Sequence, residues 1–235
     1  MKASFATILL VNLFFAAPTI TEANDIGDPR LKGIATAVMH FPARRGDLEF
    51  TVGCAESMDE KRVNYDLLYN ESLPPTKQWR LTNIDNQREL NRIKSSLSDR
   101  PAPATYADVM KFVGDTPELI SEDSKMLLVR ANKLGRQAVV INGKDVSEHF
   151  YAEITVAKQS DGYLAKNIKF HLKSPFSIGI AKVVDANGEM EFVMAQGIDF
   201  PVLSRSVFNG VFRLFLSEKT TSKEEIYSQY RVINR

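Results

Sequence analysis

The sequence predicts an α+β fold: one strongly curved antiparallel sheet, an open half-barrel, with two or three helices packed on its concave face. Long stretches in both halves of the chain alternate apolar and polar residues, which is typical of a sheet with one face on a core. Helical spacing of apolar residues is confined to short stretches of the first half. About nine or ten strands are expected, and an antiparallel sheet of that many strands curls strongly.

The predicted helices are marked by capping residues. Asp28 precedes a proline and an apolar stripe at helical spacing, which predicts a first helix up to about residue 41. Asn86 and Glu89 form a capping-box pair for a second helix. Thr105 is placed to start a third helix, and Gly114 is placed to end it.

The predicted strands begin after Gly46, where helical spacing changes to alternation. Residues 48–54 and 63–69 alternate most clearly, and residues 79–81 continue the sheet. Residues 204–217 and 225–233 are predicted to close the chain as two more long strands.

Tight hairpin turns prefer dipeptides in which both central residues tolerate positive φ. Three such dipeptides occur in the second half: Asn142-Gly143, Asp161-Gly162 and Asn187-Gly188. Each predicts a turn between two strands. The last is predicted to join residues 176–185 to residues 189–195.

Residues 1–23 have the three parts of a cleavable secretory signal peptide. Lys2 gives the positive start, residues 5–17 form an apolar run, and Thr21 and Ala23 are small residues at the −3 and −1 positions of a cleavage site. The run is shorter than the roughly 20 apolar residues that span a bilayer. We therefore expect cleavage near Ala23 and one exported domain, residues 24–235, that does not span a membrane.

The single cysteine, Cys54, allows no internal disulfide, so the fold must depend on its core. This favours the bacterial periplasm over the eukaryotic secretory route. Cys54 falls on the apolar stripe of its strand, with Leu48, Phe50 and Val52, which predicts an inert buried thiol. A formal net charge of +1 without long runs of one sign indicates no nucleic-acid partner.

No motif in the sequence specifies a reaction. There is no Gly-x-Ser-x-Gly elbow, no His-Glu-x-x-His and no paired cysteines for zinc. The histidines, His40, His149 and His171, lie far apart without ligand spacing. The expectation is a protein that is not an enzyme and holds neither a metal nor a cofactor. A pocket that joined one of these histidines to a carboxylate would favour an enzyme instead.

Phenylalanine and methionine are concentrated in the last third of the chain, and residues 207–216 are apolar on both faces of their strand. An ordinary core has this composition, and so does a concave face that binds an acyl chain or a lipid. Eight residues are predicted to project onto that face and to line an apolar cavity: Phe150, Ile154, Ile168, Phe170, Phe192, Met194, Phe208 and Phe212.

The order of these elements resembles the open-barrel fold of periplasmic lipoprotein carriers and receptors of the LolA and LolB type, and of the related RseB-type sigma-factor regulators. Four segments are similar to a group of uncharacterised proteobacterial secreted proteins: Tyr-Asn-Glu-Ser-Leu-Pro at 69–74, Trp-Arg-Leu at 79–81, Ser-Pro-Phe at 174–176 and Tyr-Ser-Gln-Tyr-Arg at 227–231. The first resemblance implies a fold that can hold lipid. Neither resemblance supplies functional residues.

The sequence therefore favours a non-catalytic periplasmic binder of a hydrophobic ligand, either a lipid or the acyl chains of a lipoprotein. The alternative is a cell-envelope module for protein interaction or regulation, with a solid core and no small-molecule ligand. A large apolar cavity would favour the first function, and a solid core with an exposed apolar patch would favour the second.

Overall fold

The protein is described by a computed structural model that covers residues 28–41, 47–114, 116–160 and 162–233. The predicted signal peptide and its cleavage site near Ala23 lie outside the described residues, as does the side chain of His40. The strands are β1 (Asp47–Met58), β2 (Lys61–Asn70), β3 (Trp79–Ile84), β4 (Pro117–Glu122), β5 (Met126–Ala131), β6 (Val140–Ile141), β7 (Lys144–Asp145), β8 (Phe150–Gln159), β9 (Gly162–Leu172), β10 (Phe176–Ile178), β11 (Ala181–Met194), β12 (Pro201–Leu214) and β13 (Ser217–Ile233).

Three α-helices occur in the described ranges, and the predicted capping residues begin or end them. Helix α1 (Pro29–His40) starts where the Asp28 carboxylate accepts the backbone N–H of Arg30 at 2.8 Å. Helix α2 (Leu90–Ser96) follows a 3₁₀ turn that Asn86 caps. Helix α3 (Val109–Val113) follows a second 3₁₀ turn with a complete capping box, and it ends at Gly114 with φ 64°.

Eleven strands form one antiparallel sheet in the order β3-β2-β1-β13-β12-β11-β9-β8-β5-β4, with β10 paired to β11 beyond that path. The sheet is open, because β3 and β4 are its two edges. Helix α1 packs against β9, and α3 packs against β5, β8 and β9. The predicted antiparallel sheet with three helices is thus confirmed. The strong curvature and the placing of helices on a concave face stay predictions.

Two of the three predicted hairpin turns are present. Asn142 and Gly143 join β6 to β7 with φ values of 50° and 73°. Strands β8 and β9 form the predicted hairpin, in which Gln159 pairs with Gly162, so Gly162 is the first residue of β9 and not part of the turn itself. Asp161 of the predicted dipeptide lies outside the described residues.

The turn predicted at Asn187-Gly188 is wrong, because β11 continues through both residues. Gly188 pairs with Phe170 of β9 on one side and with Phe208 of β12 on the other. A Cβ atom on Gly188 would lie 2.1 Å from Cζ of Phe170, so the ring covers the glycine backbone. The glycine therefore makes room for an aromatic ring in the middle of the sheet.

The core is continuous from α1 to the sheet. The predicted inner face of α1 is buried: Leu31, Ile34, Ala35 and Val38 are at most 5% exposed. In the described ranges no helix has the length and apolar character needed to cross a bilayer.

Candidate functional site

Seven of the eight residues predicted to line an apolar cavity lie in the core, at most 5% exposed. Their side chains pack on one another and on the helices. The Phe170 ring lies 5.6 Å from that of Phe112 in α3 and 6.0 Å from that of Phe150. Most of these residues thus fill the interior of the protein.

The prediction for Met194 is wrong, because its side chain is 47% exposed. Met194 is the last residue of β11 and pairs with Pro201, the first residue of β12. Val193 beside it is also exposed. The alternation of buried and exposed residues therefore ends at the last two residues of β11, where the core no longer continues.

A cavity of about 40 Å³ lies between the inner face of the sheet and the segment 100–104, and of the eight predicted residues only Phe208 lines it. This volume holds a few water molecules and is far smaller than an acyl chain. The lining residues are Trp79, Arg100, Pro101, Ala102, Pro103, Ala104, Met190, Leu203, Ser206, Phe208, Lys223, Glu225 and Tyr227.

One wall of the cavity is a buried ionic cluster. Alternation along β13 points Lys223, Glu225 and Tyr227 to the same face. The Glu225 carboxylate pairs with the Arg100 guanidinium, accepts Lys223 Nζ at 2.8 Å and accepts the Tyr227 hydroxyl at 2.7 Å. The side chains of Arg100 and Glu225 are only 9% and 11% exposed.

The cluster keeps its charges despite burial. Burial alone would raise the pKa of Glu225, but Lys223 and Arg100 outweigh burial and hold that pKa well below its usual range. Burial disfavours the charged form of Arg100, but Glu225 raises the pKa of the guanidinium above its ordinary value. The lining of the cavity thus carries two cations and one anion at neutral pH.

Small side chains beside Glu225 leave space in front of the cluster. Ser206 of β12 and Cys54 of β1 are its direct cross-strand neighbours. Trp79 and Arg100 close the cavity from the side, with Arg100 Cζ at 4.4 Å from the centroid of the Trp79 ring. Trp79 also donates its indole N–H to the carbonyl oxygen of Pro101 at 3.0 Å, which ties the segment 100–104 to β3.

The prediction that Cys54 is buried with its strand's apolar stripe is confirmed, since it is 4% exposed. Arg100 Nη2 lies 4.0 Å from its sulfur. Burial and the nearby Glu225 carboxylate nevertheless raise the pKa of the Cys54 thiol to about 12. The thiolate that nucleophilic chemistry requires is therefore scarce at neutral pH.

We expect thiol reagents to modify native Cys54 slowly. A pKa about three units above its ordinary value lowers the thiolate fraction roughly a thousandfold. The Cys54→Ala variant should lose about 1 kcal/mol of unfolding free energy and keep its binding properties. Mass spectrometry of timed labelling, with denatured protein as the control, measures this. Equally fast labelling of native and denatured protein would contradict it.

His149 and His171 do not line the cavity. The His149 ring stacks on Phe176 at 4.0 Å, and the His171 ring stacks on Tyr151 at 5.2 Å. His149 lies 3.6 Å from Glu148, whose side chain is 84% exposed. Within the described ranges no three His, Cys, Asp or Glu side chains are grouped to hold a metal ion.

Sequence reasoning missed Arg100 and Glu225, the two residues that define the cavity's charged wall. They lie 125 positions apart in sequence. The one local signal was a glutamate in phase with Tyr227 on the inner face of a predicted strand. A buried acid on an apolar stripe requires a cation, and Arg100 is that cation.

No family model matches the chain, and no curated protein matches it. The chain is similar to a solved structure described as the crystal structure of LolA superfamily protein NE2245 from Nitrosomonas europaea. The two share 12% sequence identity at a TM-score of 0.35, over 86% of this chain and 94% of that one. This likeness is too distant to transfer a function or residue roles, so the function rests on the chain's own residues.

Proposed function

We propose that the protein is an exported, non-catalytic binder of a hydrophobic ligand with an anionic group, such as a fatty acid or an acidic lipid, in the periplasm. The observation that carries this proposal is that the lining of the cavity has both an apolar part and a charged part. Apolar side chains form part of the wall, and Arg100, Lys223 and Glu225 form a charged part. Once the cavity is enlarged, a lining of this kind suits an apolar chain and fixes the orientation of its head.

The charged part of the lining supports a ligand with an anionic group. Burying an ion pair is costly, and well-packed apolar residues in its place are often neutral or more stable. The cluster around Glu225 therefore adds little to folding that an apolar core would not add. The lining holds two cations and one carboxylate, and Lys223 also lies 3.9 Å from Glu56, which does not line the cavity. An anionic group in the cavity would contact the two cations.

A ligand of acyl-chain length requires the segment 100–104 to move. Residues 100–105 have no regular secondary structure, and they form the later part of the connection, residues 97–105, between α2 and the 3₁₀ turn before α3. The Arg100 ion pair and the Trp79 hydrogen bond hold this segment to the sheet. Outward movement of the segment would extend the cavity along Met190, Leu203 and Phe208.

The packed interior favours a second candidate function, a cell-envelope module for protein interaction or regulation. The predicted cavity residues fill a solid core, and the cavity that is present holds only a few waters. Such a module would act through its surface. The binding of small ligands separates the two candidates.

A fluorescent fatty acid and its methyl ester form a matched pair of probes. The proposal expects saturable binding of the acid, and weaker binding of the neutral ester. Lys223→Met removes one cation from the cavity and leaves Glu225 paired with Arg100, so the dissociation constant of the acid should rise by about tenfold. Fluorescence titration measures both probes.

Lys219→Met is the matched control, because Lys219 lies on the same strand but pairs with Asp59 at the surface. This variant should bind the acid as the unmodified protein does. If neither probe binds saturably to the folded protein, the ligand-binding proposal fails and the interaction module is favoured.

A further inference from the structure

Two neighbouring hairpin turns at one end of the sheet expose large apolar side chains. Gly179 and Ile180 join β10 to β11, and Phe215 and Leu216 join β12 to β13. Ala181 pairs with Leu214, so the two turns lie side by side. The exposed fractions are 74% for Ile180, 78% for Phe215 and 102% for Leu216. These three residues are termed the apolar tip.

The turn between β12 and β13 begins with a residue that its backbone does not favour. Phe215 has a φ of 54°, in the region where a bulky side chain is strained and where asparagine or glycine is preferred. The neighbouring β10–β11 turn has Gly179 at the corresponding position, with a φ of 61°. Phe215 is thus unfavourable for the turn and Leu216 is fully exposed, which indicates a role outside folding for both side chains.

The tip projects beyond the neighbouring part of the sheet. On the β1 side the pairing ends where Met58 meets Thr221, and the N–H of Asp59 donates to the Thr220 carbonyl at 2.9 Å. Residues 217–219 continue past that point toward the tip. Phe215 and Leu216 are thus at the end of a projecting hairpin, and Ile180 lies in the turn beside it.

We infer that the apolar tip binds to the surface of a lipid bilayer, with Phe215, Leu216 and Ile180 inserted below the headgroups. Three side chains bury far less than the ~800 Å² per partner of a stable protein interface. A short apolar projection led by an aromatic ring suits the bilayer interface. This docking needs no ligand in the cavity, so it is independent of the proposed function.

The charged residues next to the apolar tip are placed to meet the lipid headgroups when the tip is inserted. Lys182 and Arg213 are exposed and are direct cross-strand neighbours one residue behind the two turns. At that depth their cations lie level with lipid phosphates. Arg213 also pairs with Glu218, so the local charge is only weakly positive. Insertion of the apolar side chains, rather than attraction to anionic lipid, is therefore the main source of binding.

The test uses residues 24–235, the predicted mature chain, and vesicles of phosphatidylethanolamine and phosphatidylglycerol in a flotation assay. The double variant Phe215→Gly with Leu216→Ser places glycine at the one position of the turn that has a positive φ and a small polar residue after it. Its unfolding free energy should be unchanged or higher. Its partition onto vesicles should fall by about tenfold or more, because two large side chains no longer insert.

Leu73→Asn is the matched control. Leu73 is 43% exposed, beyond the end of β2 opposite to the β1–β2 turn, so its replacement should leave the partition unchanged. The inference is overturned if the double variant floats with vesicles as the unmodified protein does. It is also overturned if the unmodified protein binds none of these vesicles, or if Leu73→Asn alone abolishes binding.

Discussion

Replacing Glu225 with glutamine is expected to lower the free energy of unfolding by about 3–5 kcal/mol. The substitution keeps the size of the side chain and removes its charge. Arg100 and Lys223 then lose the negative charge that they share, and one amide oxygen remains to accept from the three donors that the two carboxylate oxygens served. Equilibrium denaturation in urea at neutral pH measures the loss.

Glu224→Gln is the matched control for this variant. Glu224 precedes Glu225 on β13, its side chain is 39% exposed, and it pairs with Arg205 at 2.8 Å. A surface pair of this kind contributes about 0–1 kcal/mol. Glu225→Gln should therefore lower the unfolding free energy several times more than Glu224→Gln does. Equal losses in the two variants would show that the cluster around Glu225 is not buried as described.

Acid should reduce the effect of Glu225→Gln. A carboxyl whose pKa is lower in the folded than in the unfolded state stabilises the fold above the unfolded-state pKa. That stabilisation is lost as the pH falls toward the folded-state pKa, which Lys223 and Arg100 hold well below the usual range. The stability difference between the unmodified protein and the variant should thus shrink below about pH 4.

Alternation predicted the long strands because each of them has one buried and one solvated face. Strands β1, β8 and β9 follow the predicted stripes. The last strand was predicted to begin at residue 225, but β13 begins eight residues earlier, and these eight residues, 217–224, are polar. These residues form a strand because β12 pairs with them along their whole length, which local sequence does not reveal.

The candidate site was less predictable than the sheet, because it depends on residues that only the fold brings together. Seven apolar residues were correctly placed inward, but inward residues do not distinguish a filled core from a cavity. There is space beside Glu225 because its two cross-strand neighbours, Ser206 and Cys54, have small side chains. The pairing of three strands brings these residues together, and local sequence does not reveal that pairing.

The substitution Gly188→Ala is expected to destabilise the protein by about 3 kcal/mol, although alanine is ordinarily the better strand residue. The added Cβ would lie 2.1 Å from Cζ of Phe170, and two more ring atoms would lie within 2.7 Å. Phe170 is fully buried against Phe112 and Phe150, so its ring has little room to shift.

Gly53→Ala is the matched control for Gly188→Ala, because its added Cβ would meet only Asp66 Oδ1 at 3.6 Å. This change in β1 should alter the unfolding free energy by less than about 0.5 kcal/mol. Phe170→Leu shortens the side chain that covers Gly188, so it should cost less in the Gly188→Ala background than alone. Urea denaturation of the four proteins in this cycle measures the coupling. A Gly188→Ala variant as stable as the unmodified protein would mean that Phe170 does not cover Gly188.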